Sequence, residues 1–354
     1  MMPLAKQLHQ MQLPREVVVG SGTLGLVVTI CKKLGFLESA FVVTGARTFK
    51  IAASSIIDKL EDSGISADHL LVSSSTMQDV KSVETKIDEL RPQVVLGVGG
   101  GTKIDVAKLG AARKGIPFIA IPTAASHDGI ASPLTSIKGT DKPYSIVAEA
   151  PMAVIADTSI IVKASHRYTA SGCGDVAAKL TAVRDWYLAY KAKNEYYGEY
   201  AASLALMSAK LVARNADLMV PGNERGIRVL LEALISCGVA MSIAGSSRPC
   251  SGSEHLFSHA LDLTAPNHAM HGEQTAVGTI MMACLQGLNW RRIKSKLEKI
   301  GSPTNAKELG IEPDDVLKSL VKARLIRPER YTILNEKNLT LDAARKLAKK
   351  TKVI

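Results

Sequence analysis

Val94-Val95-Leu96-Gly97-Val98-Gly99-Gly100-Gly101-Thr102-Lys103-Ile104-Asp105 is the stretch that decides the fold. The apolar, mostly β-branched run Val94–Val98 reads as a buried strand, and the segment from Ile104 to Lys114 reads as a helix. Between them stand consecutive glycines, which let a backbone approach a pyrophosphate closely. A helix N-terminus there offers unpaired N–H groups and a partial positive charge to the same anion. A plain turn does not need three glycines in a row, because their chain entropy is lost on folding. Gly99, Gly100, Gly101, Thr102 and Lys103, with Asp105 on the first helical turn, are therefore expected to hold a dinucleotide cofactor.

Outward from this loop the same rhythm repeats. Short apolar runs at Glu16–Val19, Ala40–Thr44, Leu70–Ser73, Val94–Val98, Pro117–Ile121 and Val154–Ala156 alternate with helical stretches near Leu24–Leu34, Lys50–Ser63, Val80–Leu90 and Ile104–Lys114. That alternation predicts a parallel sheet wrapped by crossover helices, an α/β Rossmann-like arrangement whose ligand crevice lies where strands run into glycine or Pro-Thr turns. Past residue 160 the strand-like runs stop, and apolar residues recur at three- and four-residue spacing in Asp175–Lys191, Tyr200–Asn215, Gly226–Ser242 and Gln274–Leu288. The expectation is an α/β cofactor domain over residues 1–160 and an all-α metal- and substrate-binding domain over 161–354, packed around a shared cleft.

A second glycine string, Gly20-Ser21-Gly22-Thr23-Leu24-Gly25, matches the G-x-G-x-x-G pattern literally. The acid that should follow about 20 residues later to bind the ribose hydroxyls is missing, since that region reads Phe41-Val42-Val43-Thr44-Gly45-Ala46-Arg47. The string is read as a turn lining the cofactor. With no carboxylate to repel a 2′-phosphate, and with Arg47 and Lys50 nearby, NADPH is expected to be accepted beside NADH; a thousandfold discrimination against NADPH would refute this.

Four of the eight histidines, at 255, 259, 268 and 271, crowd into one short stretch. His255 and His259 are spaced i, i+4, so both imidazoles project from one helix face, and His271 arrives after the Pro266-Asn267 break. Two nitrogen donors from separate elements, with a carboxylate from elsewhere, make a three-ligand set of the kind a catalytic zinc uses while keeping one position open. Asp175 in Ser171-Gly172-Cys173-Gly174-Asp175 is the best carboxylate, read as sitting at the start of a helix, where N-capping is the competing role. His9, His69, His166 and His268 are read as ordinary hydrogen-bonded imidazoles.

The chain has 354 residues, 46% hydrophobic and 22% charged, which is globular composition at a length that usually divides into two domains. Its formal charge of +11 invites a nucleic-acid reading. The cations are scattered or gathered at the C-terminus without interleaved aromatics, however, so a solvated helix face and phosphorylated small substrates explain them better. Five dispersed cysteines without a C-x-x-C pair argue against a disulfide framework or thiolate zinc site. No run approaches the roughly 20 uninterrupted apolar residues of a bilayer span. A cytoplasmic homo-oligomer, without nucleic-acid partners or a transmembrane segment, is the expectation.

These motifs resemble the iron-dependent alcohol dehydrogenase and dehydroquinate synthase superfamily, and within it the archaeal sn-glycerol-1-phosphate dehydrogenase branch. The resemblance spans nearly the whole chain. It rests on Gly99–Asp105, on Ile121-Pro122-Thr123-Ala124-Ala125-Ser126-His127-Asp128-Gly129, and on Gly174-Asp175 with Ala182–Trp186. Ser251-Gly252-Ser253-Glu254-His255 through His259, and His271-Gly272-Glu273, complete it. The resemblance implies a dehydroquinate synthase-like fold with zinc held by Asp175, His255 and His271. Asp128 and His259 would face the substrate as catalytic groups, with Asp175 also touching it, and Thr123, Ser126 and Ser132 would touch NAD(H) or NADP(H). It further implies reduction of dihydroxyacetone phosphate to sn-glycerol 1-phosphate for archaeal membrane lipids. Lys179, one turn beyond Asp175, is a candidate for the substrate phosphate. Glycerol dehydrogenase is the nearest rival. The 3-dehydroquinate synthase reading is weakened by Gly129-Ile130-Ala131-Ser132, where that lyase would carry a Gly-Gly-Lys segment. A non-enzymatic nucleotide binder would need neither the histidine cluster nor Asp175.

Overall fold

The computed structural model describes residues 11–138, 145–267 and 269–354; His9 and His268 lie outside them. The strands are β1 Glu16–Gly20, β2 Ser39–Thr44, β3 Ser66–Leu71, β4 Val94–Gly99, β5 Phe118–Pro122, β6 Leu134–Thr135, β7 Ile146–Val147 and β8 Ala153–Asp157. Six of them form one parallel sheet in the order β1-β8-β5-β4-β2-β3, and β6 pairs with β7 as a separate antiparallel ribbon. The helices of this half are α1 Val27–Lys33, α2 Ala46–Thr48, α3 Ser54–Asp62, α4 Met77–Leu90 and α5 Gly101–Arg113. Strand order reverses between β2 and β4, so the glycine loop after β4 and Gly45 after β2 flank the crevice that such a reversal opens.

Alternate residues of each strand serve opposite faces of the sheet. Val42, Leu96, Ile119 and Ile155 pack in one core cluster with Val27, Ile30 and Ile56. Phe41, Val43, Val95 and Val154 pack in the other, which continues without a break into Trp186, Leu230 and Met241 of the helical half. That continuous core is why the two halves meet as one body.

After β8 the described chain is helical: α6 Thr158–Ile161, α7 His166–Lys193, α8 Glu199–Arg214, α9 Glu224–Ala244, α10 Ser253–Thr264, α11 His271–Leu285, α12 Trp290–Ile300, α13 Ala306–Leu309, α14 Pro313–Ile326, α15 Ile333–Lys337 and α16 Leu341–Lys350. Helix α11 packs along α7, and α10 packs against both α11 and α14. One helix, α9, is long and on average apolar enough to cross a bilayer, but Arg228 and Glu232 interrupt it and 67% of its most apolar window is buried inside the protein, as in a core helix.

Two expectations are corrected. The third strand runs over Ser66–Leu71 rather than Leu70–Ser73, because at the sheet edge its mostly polar first half, Ser66–His69, stays exposed or half-buried and its ladder to β2 sets the register. The helix bearing Asp175 begins at His166, so Asp175 lies in its interior and is no cap. Neighbouring helices override the low helix propensity of Gly172 and Gly174 there.

Candidate metal and cofactor site

The glycines around Asp175 act by absence of bulk. A Cβ on Gly174 would stand 2.2 Å from the Gly272 carbonyl oxygen, one on Gly272 1.9 Å from the Ser171 carbonyl oxygen, and one on Gly172 2.2 Å from the Ala125 carbonyl oxygen. Helices α7 and α11 thus meet backbone to backbone, which delivers Asp175 beside His271, the first residue of α11. The same closeness brings the Ala125–Gly129 loop onto α7.

His255 and His259 lie one turn apart on α10, as their spacing predicted, and both are buried. One donor atom each from Asp175, His255 and His271 lies within 4.8 Å of the others, a spacing that one cation can span. Each of the two imidazoles is oriented from behind. His255 Nδ1 donates to Glu254 Oε1 at 2.8 Å, leaving Nε2 to face Asp175 Oδ1 at 3.6 Å. Ser258 Oγ donates to Gln274 Oε1 at 2.6 Å, so it accepts from His271 Nδ1 at 3.2 Å and leaves His271 Nε2 free for a ligand. His259 stacks on His271 with ring centroids 5.8 Å apart and lines the cleft.

Lys179 is fully buried and donates to Asp175 Oδ1 at 2.7 Å and to Asp128 Oδ2 at 2.8 Å. The expectation that it receives a substrate phosphate is therefore withdrawn: its ammonium serves carboxylates and does not reach the cleft. Asp128 N donates to Asp175 Oδ2 at 2.8 Å, tying the two acids together. Burial opposes the charge on Asp175, but Lys179, His255 and His271 hold its carboxyl well below the usual range. Burial opposes the Lys179 charge too, yet Asp128 and Asp175 hold that ammonium well above its usual range. Burial, then His255 and nearby arginines, push the His259 imidazole down to about 3, and burial with His255 pushes His271 well below its ordinary value. Two imidazole nitrogens and a carboxylate oxygen within 4.8 Å of one another are a zinc donor set, so the residues fit the metal.

Above this floor opens a cleft of about 1270 Å3 between the two halves, larger than the roughly 300–1,000 Å3 of ordinary small-molecule pockets and able to take two ligands. Gly100, Gly101, Thr102, Lys103, Asp105, Thr123 and Ser126 line it. Gly99 is buried at the end of β4 with φ 155, a conformation that side chains rarely adopt, and its carbonyl accepts from Thr123 N at 2.9 Å. Ser132 is 1% exposed behind this wall, its hydroxyl bonded to Leu134. The Gly20–Gly25 turn stands elsewhere: Asp157 accepts from Gly22 N and Leu24 N at 3.1 Å each, so a protein carboxylate already fills it.

Several working residues escaped the sequence reading. Buried Lys108 donates to the carbonyls of Gly129, Ser132 and Leu134 at 2.6, 3.0 and 2.7 Å, pinning the loop that carries Asp128. Its i, i+3 spacing from Asp105 on an apolar helix was the available signal. His127 lies over Gly101, where a Cβ would be 1.7 Å from Nε2. Its Nδ1 accepts from Gly129 N at 3.0 Å, so a neutral ring carries its proton on the Nε2 that faces the glycine loop. Arg167, lining the cleft, donates Nε and Nη2 to Glu273 at 2.6 and 2.8 Å. Glu254 stood in a quoted motif, but only the structure shows what its carboxylate touches.

A family model described as iron-containing alcohol dehydrogenase matches residues 18–165. The chain is 50% identical over 351 residues to a glycerol-1-phosphate dehydrogenase (NAD(P)+) of Thermococcus kodakarensis, covering 99% of this chain and 100% of that protein. It is 52% identical over 344 residues to the enzyme of the same name from Methanosarcina mazei, covering 97% and 96%. Among solved structures, glycerol dehydrogenase from Schizosaccharomyces pombe superposes with a TM-score of 0.79 at 22% identity, covering 98% of this chain and 92% of that one. Sulfoacetaldehyde reductase from Bifidobacterium kashiwanohense, solved with NAD+, gives 0.74 at 18% identity, covering 98% and 99%. The solved structures bear on the fold and the curated relatives on the family.

Proposed function

We propose, from the premise that the chain belongs to the glycerol-1-phosphate dehydrogenase (NAD(P)+) family of oxidoreductases with an iron-containing alcohol dehydrogenase fold, that it reduces dihydroxyacetone phosphate to sn-glycerol 1-phosphate with NADH or NADPH at a bound zinc. The observation that carries this reading is the convergence of Asp175, His255 and His271 within 4.8 Å at one end of the cleft whose other wall is the Gly100–Lys103 loop. The product would supply the glycerophosphate backbone of archaeal membrane lipids, made in the cytoplasm by a homo-oligomer.

In this reading Asp175, His255 and His271 hold the metal, and Gly100, Gly101, Thr102 and Lys103 receive the cofactor diphosphate with Thr123 and Ser126 nearer the nicotinamide. Zinc bound there supplies Lewis-acid polarisation of the ketone oxygen, and the nicotinamide supplies the hydride. His259, one turn from His255 and neutral because burial lowers its pKa, orients the substrate and relays a proton from water, taking it at one ring nitrogen as the other gives one to the oxygen that becomes a hydroxyl. Asp128, charged against Lys179 at 2.8 Å, accepts hydrogen bonds from substrate hydroxyls. The helical half brings Lys163 and Arg167 to the cleft, and these take the substrate phosphate in place of Lys179. Arg47, lining the cleft beyond β2 where an acid would repel a 2′-phosphate, leaves room for NADPH.

The test follows oxidation of NADH and NADPH with dihydroxyacetone phosphate, with dihydroxyacetone and with the dehydroquinate synthase substrate, before and after chelation. The reading expects turnover of the first, lost on chelation and restored by zinc. Equal or faster turnover of the unphosphorylated ketone would move the assignment to glycerol dehydrogenase.

A further inference from the structure

Glu254 is wholly buried, and its carboxylate is met by an amide N–H, an imidazole and a hydroxyl. Oε1 accepts from Gly252 N at 2.7 Å and from His255 Nδ1 at 2.8 Å, and Oε2 accepts from Thr181 Oγ1 at 2.7 Å. A buried carboxylate served by neutral donors keeps its charge at a large desolvation cost unless positive charge lies close by. The other imidazole of the cluster is held differently. His271 leans on Ser258 Oγ, which donates to Gln274, whose own amide donates to Asp262 Oδ1 at 3.1 Å. The two histidines are thus backed unequally, one by a carboxylate directly and one by a hydroxyl, with its carboxylate two groups further back.

We infer that Glu254 is a positioning residue for the metal: its carboxylate locks His255 in the tautomer whose Nε2 is the ligand nitrogen, and its charge, relayed through that imidazole, strengthens the hold on a divalent cation. The inference rests on the ligand set proposed above. A purely structural alternative exists, because the same carboxylate ties Gly252 N to the first turn of α10, where a negative charge also suits the helix dipole. The two roles separate in Glu254→Gln. Its amide oxygen accepts the same two N–H groups, and its NH2 donates to Thr181 Oγ1, which turns its proton to the Ala178 carbonyl it already reaches at 2.9 Å. Geometry is kept and charge is lost.

The experiment measures zinc and cobalt dissociation constants of the full chain by chelator competition, the visible absorption of the cobalt form, and thermal unfolding of the metal-free protein. For Glu254→Gln the expected loss of metal affinity is about 10- to 100-fold, with a shifted cobalt spectrum and an unchanged or higher metal-free Tm. A loss smaller than tenfold overturns the inference while leaving the ligand set standing. Failure of the unaltered chain to bind either metal overturns the ligand set itself. Should the variant not fold, histidine-selective 15N NMR of the unaltered protein decides: a proton on Nδ1 of His255 supports the assignment, and a proton on Nε2 in the zinc-loaded state refutes it.

Discussion

Gly174 faces Gly272 across the α7–α11 contact so closely that a methyl group at 174 would lie 2.2 Å from the Gly272 carbonyl oxygen and 2.9 Å from the Ala276 methyl. Backbone cannot yield as a flexible side chain does, so Gly174→Ala must part the helices. The expected destabilisation is about 3 kcal/mol, and because Asp175 and His271 ride on the two helices, zinc affinity falls with it. Urea unfolding with parallel metal titration checks this; a variant with unchanged zinc affinity would detach the metal site from the helix contact.

Arg167 is held by two bonds to Glu273, and those leave its Nη1 and one proton of Nη2 for the cleft it lines. If it receives the substrate phosphate, Arg167→Ala raises the KM for dihydroxyacetone phosphate at least tenfold and changes kcat/KM for dihydroxyacetone less than threefold. An equal effect on both substrates would make Arg167 only a strut for the start of α11. Steady-state kinetics with the two ketones reads the difference directly.

The first two predictions depend on residues whose partners could not be read along the chain, and that marks where sequence reasoning stopped. Strands β2, β4, β5 and β8 were legible because they are buried on both faces and carry continuous apolar runs. Edge strand β3 was misplaced because Ser66–His69 look like a loop until β2 pairs with them. His255, His259 and His271 announced themselves by helical spacing and by the break before the third. Asp175 was found for its glycines but put at a helix start, since a local reading takes Gly172 and Gly174 as breakers, whereas here they are clearance for α11 and the Ala125 loop. Glu254, Ser258 and Gln274 needed knowledge of which helix faces meet, which no periodicity supplies. Lys179 illustrates the converse failure: a cation near a metal ligand suggests an anion site, but its two carboxylates consume it.

Asp185 offers a pH test away from the ligands. Burial first, and then the charge of Glu254, raise its carboxyl from 3.8 to about 6, despite hydrogen bonds from Ser253 and Ile333. A carboxyl whose pKa is higher folded than unfolded holds its proton more tightly when folded. Its contribution to stability is therefore full below about pH 4 and is lost as pH rises through about 6. Asp185→Asn removes that titration. The unfolding free energy of the metal-free wild type minus that of the variant should fall by about 2 kcal/mol between pH 4 and pH 7. A difference that stays flat or grows with pH would show that the group is not held protonated.

The proposed chemistry needs one ion held by three side chains. Crystals grown with zinc, with anomalous diffraction recorded on both sides of the zinc absorption edge, should show one strong peak bound by the Asp175 carboxylate and by Nε2 of His255 and of His271, on the cleft side of α10 and α11. A peak on other residues, or none at these three in zinc-saturated crystals, would contradict the proposed chemistry.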